Sequence, residues 1–245
     1  MPRKNDVIPP GVPSETQLVD VGTASTFVIV KTMIEVIHYQ NKAYESPFEA
    51  LISDSLNEAR KLLPNLPESI QIYFSDYGIL EHTGIGGYAY SSDIITISLD
   101  PNFDDEERQK INIRPTVLHE SFHLSQRFTG EDGPFSAIDN ALYEGMATVF
   151  EREYAGVFEP YGDYRQISEA KLKQWAEELR KVSAEVFADE AVYSKWKFYH
   201  PELKQRWIAY RTGTWLVDEV LKKKGLTILD LRTKKAADVL SMYDK

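Results

Sequence analysis

V-L-H-E-S-F-H-L-S-Q-R, residues 117–127, holds two of the chain's five histidines four positions apart around a glutamate. On an α-helix, residues four apart stack on one face, so His119 and His123 present two imidazoles to one point, with Glu120 about 100° around the axis. This is the H-E-x-x-H device, in which two histidines hold a zinc ion and the glutamate takes a proton from water. A plainer reading exists. Thr116, Gln126 and Arg127 fall on the histidines' side of the wheel, as they would on any amphipathic helix. Val117, Leu118, Phe122, Leu124 and Phe128 cover much of the remaining circumference, so the helix is largely enclosed and its polar strip faces water or a cleft. Chance alone produces such a motif in roughly one of 100 sequences of this composition, so the spacing favours a metal and leaves the helical stripe open.

A third ligand would separate the two. Catalytic zinc sites keep three protein ligands and one position for water, and with zero cysteines the chain can offer only nitrogen and oxygen donors. Glu144 stands in N-A-L-Y-E-G-M-A-T-V-F, residues 140–150, one turn and a returning helix beyond His123. Ala137, Ala141, Ala147 and Thr148 surround it with small side chains that admit another helix, and Leu142, Met146, Val149 and Phe150 form the bulky opposite side. Alternatively, Glu144 and Glu151, seven apart, mark a solvated stripe.

V-L-H-E-S-F-H followed by L-Y-E-G-M-A resembles the gluzincin-type metallopeptidases, and more narrowly a bacterial family of predicted zinc-dependent proteases. The resemblance runs from about Phe48 to W-I-A-Y-R-T-G-T-W, residues 207–215, and only the two metal-binding segments are specific. It implies an α+β, zincin-like fold, with His119, His123 and Glu144 as zinc ligands and Glu120 as catalytic base. Such families often carry an acidic residue four after the glutamate ligand, which holds a zinc histidine from behind. Thr148 stands there instead, and losing such a partner can cost ~10–100-fold in zinc affinity. For the donor to the developing oxyanion, Tyr210 is the first candidate and His200, in F-Y-H-P, the second; each also reads as an ordinary side chain satisfied at the core edge. His38 and His82 read as structural. Peptides in this protease architecture pair with an exposed strand edge, for which residues 94–99 are the candidate. The glycine run H-T-G-I-G-G, residues 82–87, reads as a loop and a possible rim of the site, without the strand-to-helix context of a phosphate loop.

The rest of the chain supplies the frame. Its 245 residues, 42% hydrophobic, suffice for a well-filled core. The net charge of −10 argues against nucleic acid or an anionic membrane as partner. Residues 1–15 read as a loose proline-rich arm and 16–245 as one zincin-like catalytic domain, divided into an α/β lobe (16–130) with a small twisted sheet and a helical lobe (131–245). The apolar stretch 17–40 fits strand or helix. Ser46-Pro47 starts a helix that ends before Pro64, and residues 69–74 and 93–99 alternate as strands. Ser136 with Asp139 starts a helix ending at Gly156, and residues 168–186 and 203–224 read as further helices, the last closed by Gly225. The N-terminal pattern suits neither signal peptide nor membrane span, so a soluble, cytoplasmic chain is expected. The functional expectation is a zinc-dependent peptidase acting on a peptide or protein. Its rivals are a non-catalytic peptidase-like binding module, a zinc hydrolase of other substrates, and a metal-free helical protein.

Overall fold

The structure, a computed structural model, describes residues 34–37, 47–75 and 78–245. The expected arm, His38, the Ser46 cap and most of the ambiguous apolar stretch lie outside the described residues. Within that stretch, Ile34–Ile37 is a strand, β1. Helix α1 (Pro47–Leu62) crosses over to β2 (Ile70–Ser75), which runs parallel to β1. Such a parallel connection requires a crossover element. Ile52, Leu56, Ala59 and Leu63 turn one face of this segment inward and are wholly buried.

The sheet continues through β4 (Ile94–Leu99), parallel to β2, and ends on β3 (Ile85–Ser91), antiparallel to β4, so the strand order is β1-β2-β4-β3. Two sequence expectations are corrected here. Strand β4 is flanked on both sides and cannot offer an exposed edge; among the described residues the edge strands are β1 and β3. The glycine run is a loop only as far as Gly84, which turns the chain with φ 67°, and Ile85, Gly86 and Gly87 begin β3. Glycine lacks the side chain that marks a strand, yet here it is required. A Cβ on Gly86 would strike the Gly78 carbonyl, and one on Gly87 would lie 2.7 Å from both Glu120 and Thr116.

Helix α2 (Glu106–Gln126) is capped by Asp105, which accepts the Arg108 amide, and closed by Arg127 in the left-handed conformation. Helix α3 (Ala137–Ala155) starts on Ser136, whose hydroxyl accepts the Asp139 amide, and ends at left-handed Gly156. Both ends agree with the sequence reading. Residues 168–186 do not form one helix: α4 (Glu169–Arg180) stops, Ser183 caps a short α5 (Ala184–Phe187), and Asp189 caps α6 (Glu190–Lys197). Nor does a helix begin at residue 203. The two-residue strands β5 (Tyr199–His200) and β6 (Gln205–Arg206) pair first, and Trp207, at φ 58°, turns the chain into α7 (Ile208–Lys224), closed by Gly225. A 3-10 turn (Ile228–Leu231) and α8 (Ala236–Asp244) follow.

Buried apolar residues from Ile52 to Val239 form one cluster. Its centre is the crossing of α3 and α7, which meet backbone on backbone. A Cβ on Gly145 would collide with the main chain of Gly213, and one on Gly213 with the Ala141 carbonyl. Further along, Arg152 grips Asp218 with two hydrogen bonds of 2.7 and 2.8 Å. Ring contact between Phe122 and Phe150, 4.8 Å between centroids, fixes α2 against α3. Among the described residues no helix is long and apolar enough to cross a membrane.

Candidate metal centre

Two helices deliver the donors. His119 and His123 leave α2 one turn apart toward α3, and Glu144 meets them there. One ligand atom from each lies within 4.8 Å of the others. Glu144 Oε2 is 3.3 Å from His119 Nε2 and 3.4 Å from His123 Nε2. All three residues are buried, at 6, 4 and 3% exposure, which excludes the solvated-stripe reading of Glu144.

Their electrostatics fit a cation. Burial pushes the His123 imidazole down to about 4, so the ring is neutral, with a lone pair to offer. His123 Nε2 faces Glu144 Oε2 at 3.4 Å while the buried Nδ1 has no hydrogen-bond partner, so the tautomer with its proton on Nδ1 aims a lone pair at the point where the three donors meet. Burial also opposes charge on His119, but the hydrogen bonds it donates to Glu144 and Glu151 outweigh it and lift the ring to about 10. A divalent ion replaces such a proton on binding.

Behind His119 stands Glu151, whose Oε2 lies 2.9 Å from Nδ1 and also accepts the Tyr161 hydroxyl at 2.5 Å. Glu151 is two helical turns past Glu144, on the same face and only 1% exposed. It fills the role that Thr148 leaves open. Thr148 instead donates its hydroxyl to the Glu144 carbonyl one turn back, at 2.8 Å. The concern raised by position 148 is thus corrected: the supporting carboxylate is present, three residues later. Glu151→Gln should leave the fold intact and weaken zinc binding about 10–100-fold, measured by competition with a chromogenic chelator. Unchanged affinity would show that Glu151 does not tune the site.

Glu120, at 6% exposure, sits under β3 against Gly87. Burial pushes its carboxyl up to about 7, with His119, Lys197 and the Ala89 amide pulling the other way. The second oxygen of Glu144 is taken by Lys197, whose Nζ lies 2.6 Å from Oε1 and 2.6 Å from the Tyr193 hydroxyl. Lys197 left no mark in the sequence, being 53 residues from Glu144 and at the end of a helix not anticipated there.

Tyr210 and His200 fare differently. The Tyr210 ring, on α7, lies 5.3 Å from the Lys197 ammonium and 5.0 Å from the Tyr161 ring. Burial and then the Glu144 charge hold its phenol well above the usual range, so it stays a hydrogen-bond donor beside the cluster. His200 packs on Trp196, with Nδ1 3.1 Å from Glu202 and accepting the Leu203 amide at 3.3 Å. Those partners hold the Nδ1 side of the ring in the β5–β6 turn. His82 pairs with Glu159 at 2.9 Å, a partner that sequence spacing did not suggest.

Residues 48–241 match a family model described as "Predicted Zn-dependent protease (DUF2268)". The chain belongs to this family of predicted Zn-dependent proteases. The zinc dependence in that description agrees with the buried His119, His123 and Glu144 group found in the structure. No curated protein and no solved structure matches the chain.

Proposed function

We propose that this member of the predicted Zn-dependent protease family is a peptidase that hydrolyses peptide bonds, with Glu120 as general base. The observation carrying the proposal is a carboxylate beside, but not among, the three metal donors. A merely structural site has no use for it. Zinc held by His119, His123 and Glu144 would polarise the scissile carbonyl and make a nearby water more acidic.

This chain's own residues do the rest. Glu120 accepts a proton as the water oxygen bonds to the carbonyl carbon, and returns it to the amine nitrogen as the C–N bond breaks. A carboxyl near 7 suits both transfers, because a group close to the working pH can take a proton and give it back. The Tyr210 hydroxyl is the donor proposed for the oxyanion. Edge strand β3 replaces β4 as the surface for an extended peptide. The Ile85 carbonyl accepts the Leu80 amide and the Ala89 carbonyl accepts the Gly130 amide. By two-residue alternation Gly87, midway between them, turns its main chain outward beside Glu120, where a peptide can pair. The net charge of −10 keeps the proposed substrates to peptides or proteins, not phosphate polymers or anionic membranes.

The test is incubation of zinc-loaded protein with a mixed peptide library, read by mass spectrometry. New termini that vanish with a chelator support the proposal. A fully zinc-loaded, folded protein that generates none would sink the peptidase reading.

A further inference from the structure

Lys197 is a cation set into the metal centre itself. It is 8% exposed, and its ammonium is fixed from several sides: Glu144 Oε1 at 2.6 Å, the Tyr193 hydroxyl at 2.6 Å, the Tyr193 ring at 5.0 Å and the Tyr210 ring at 5.3 Å. The Glu144 carboxylate is therefore divided between two tasks. Oε2 faces the two imidazole nitrogens at 3.3 and 3.4 Å, and Oε1 faces the lysine.

We propose that Lys197 is a positioning residue that holds Glu144 as a one-oxygen metal ligand, keeps a coordination position open, and trades metal affinity for electrophilicity. The proposal rests on the zinc reading of the site. A carboxylate free to rotate can give both oxygens to one ion and fill the place that catalysis needs for water. With Oε1 hydrogen-bonded to an ammonium, only Oε2 remains, and its electron density is already drawn toward the lysine. The metal then keeps more of its own charge. A fixed positive charge in a dry site also repels a divalent ion, so zinc binds more weakly than the His-His-Glu donors alone would allow. In the metal-free protein the same ammonium neutralises Glu144, so its loss harms the empty form more than the loaded one.

The consequence is unusual for a residue at a metal site: removing it tightens binding. Lys197→Met and Lys197→Arg, stripped and reloaded, are compared with wild type in chelator competition, thermal melting and the visible spectrum of the cobalt-substituted protein. The Met variant should bind zinc roughly tenfold or more tightly. Its stripped form should melt lower than wild type, its cobalt bands should weaken as the coordination number rises, and its turnover should fall with little change in KM. Arg should restore wild-type values. Should the stripped Met variant not fold, Lys197→Gln, which keeps a hydrogen bond without the charge, makes the same comparison.

Unchanged or weaker zinc affinity with an unaltered cobalt spectrum would overturn the proposal and leave Lys197 a packing residue. Wild type that takes neither zinc nor cobalt would overturn the zinc reading and this proposal together. Wild type that binds metal and cleaves nothing would remove only the peptidase reading, with the affinity and spectrum still deciding Lys197.

Discussion

Replacing Glu120 with glutamine lowers peptide turnover by about 10²–10⁴-fold, the usual contribution of a positioned general base, and leaves zinc content unchanged. The substitution keeps shape and volume, so the tight contact with Gly87 survives. It also keeps an oxygen for the Ala89 amide. What disappears is the ability to take a proton from water. The metal donors are other residues, on the inner face between α2 and α3, so chelator competition should give the wild-type zinc affinity. KM should change little, since Glu120 acts on the water and not on the peptide. Parallel steady-state kinetics and zinc analysis of both proteins make the check, and a variant retaining near-wild-type turnover would remove Glu120 from the mechanism.

Gly213→Val should cause a large loss of stability at the α3–α7 crossing. Its Cβ would fall on the Ala141 carbonyl, and no rotamer relieves a clash between two main chains. The helices must part, carrying Glu144 and Glu151 away from α7. Overpacking in a core typically costs ~1–3 kcal/mol, and a backbone clash belongs at or above the top of that range. For a domain of this size ~3 kcal/mol is a fall in Tm of roughly 6–12 °C. Thermal melts should show it, together with weakened zinc binding. Gly225 is the useful control, because nothing lies within 4 Å of its added Cβ. Alanine there meets only the left-handed backbone, a cost of roughly 1 kcal/mol. If valine at 213 costs no more than alanine at 225, the helix crossing does not depend on close approach.

The parts of this site that could be read from the sequence are those whose geometry is local. His119, Glu120 and His123 share one helix, so a spacing of four fixes their relation. Glu144 followed from the donors that a cysteine-free chain has left, and its small neighbours announced the close helix. Helix starts at Ser136 and Ser168 were legible because a cap is a contact between residues three apart. What was missed depends on pairing across distance. Glu151 reads equally as a solvated residue until His119 arrives 2.9 Å away from another helix. Periodicity placed it on the Glu144 face, which was the available signal. Strand β3 is hidden in the sequence because its two glycines make room for the Gly78 carbonyl and for Glu120, reasons that exist only in the packed molecule. The strand order is likewise invisible to alternation, and that is how β4 was mistaken for an edge. Residues 168–186 kept a helical period through Ser183, where a new cap had already ended the first helix.

The most direct test of the metal centre is elemental analysis of chelator-free wild-type protein beside His119→Ala and Glu144→Ala. About one zinc per chain is expected in wild type, with much less in either variant, since each loses one of three converging donors. A wild-type protein that holds no zinc after zinc has been offered, or variants that retain it in full, would contradict the His119–His123–Glu144 site.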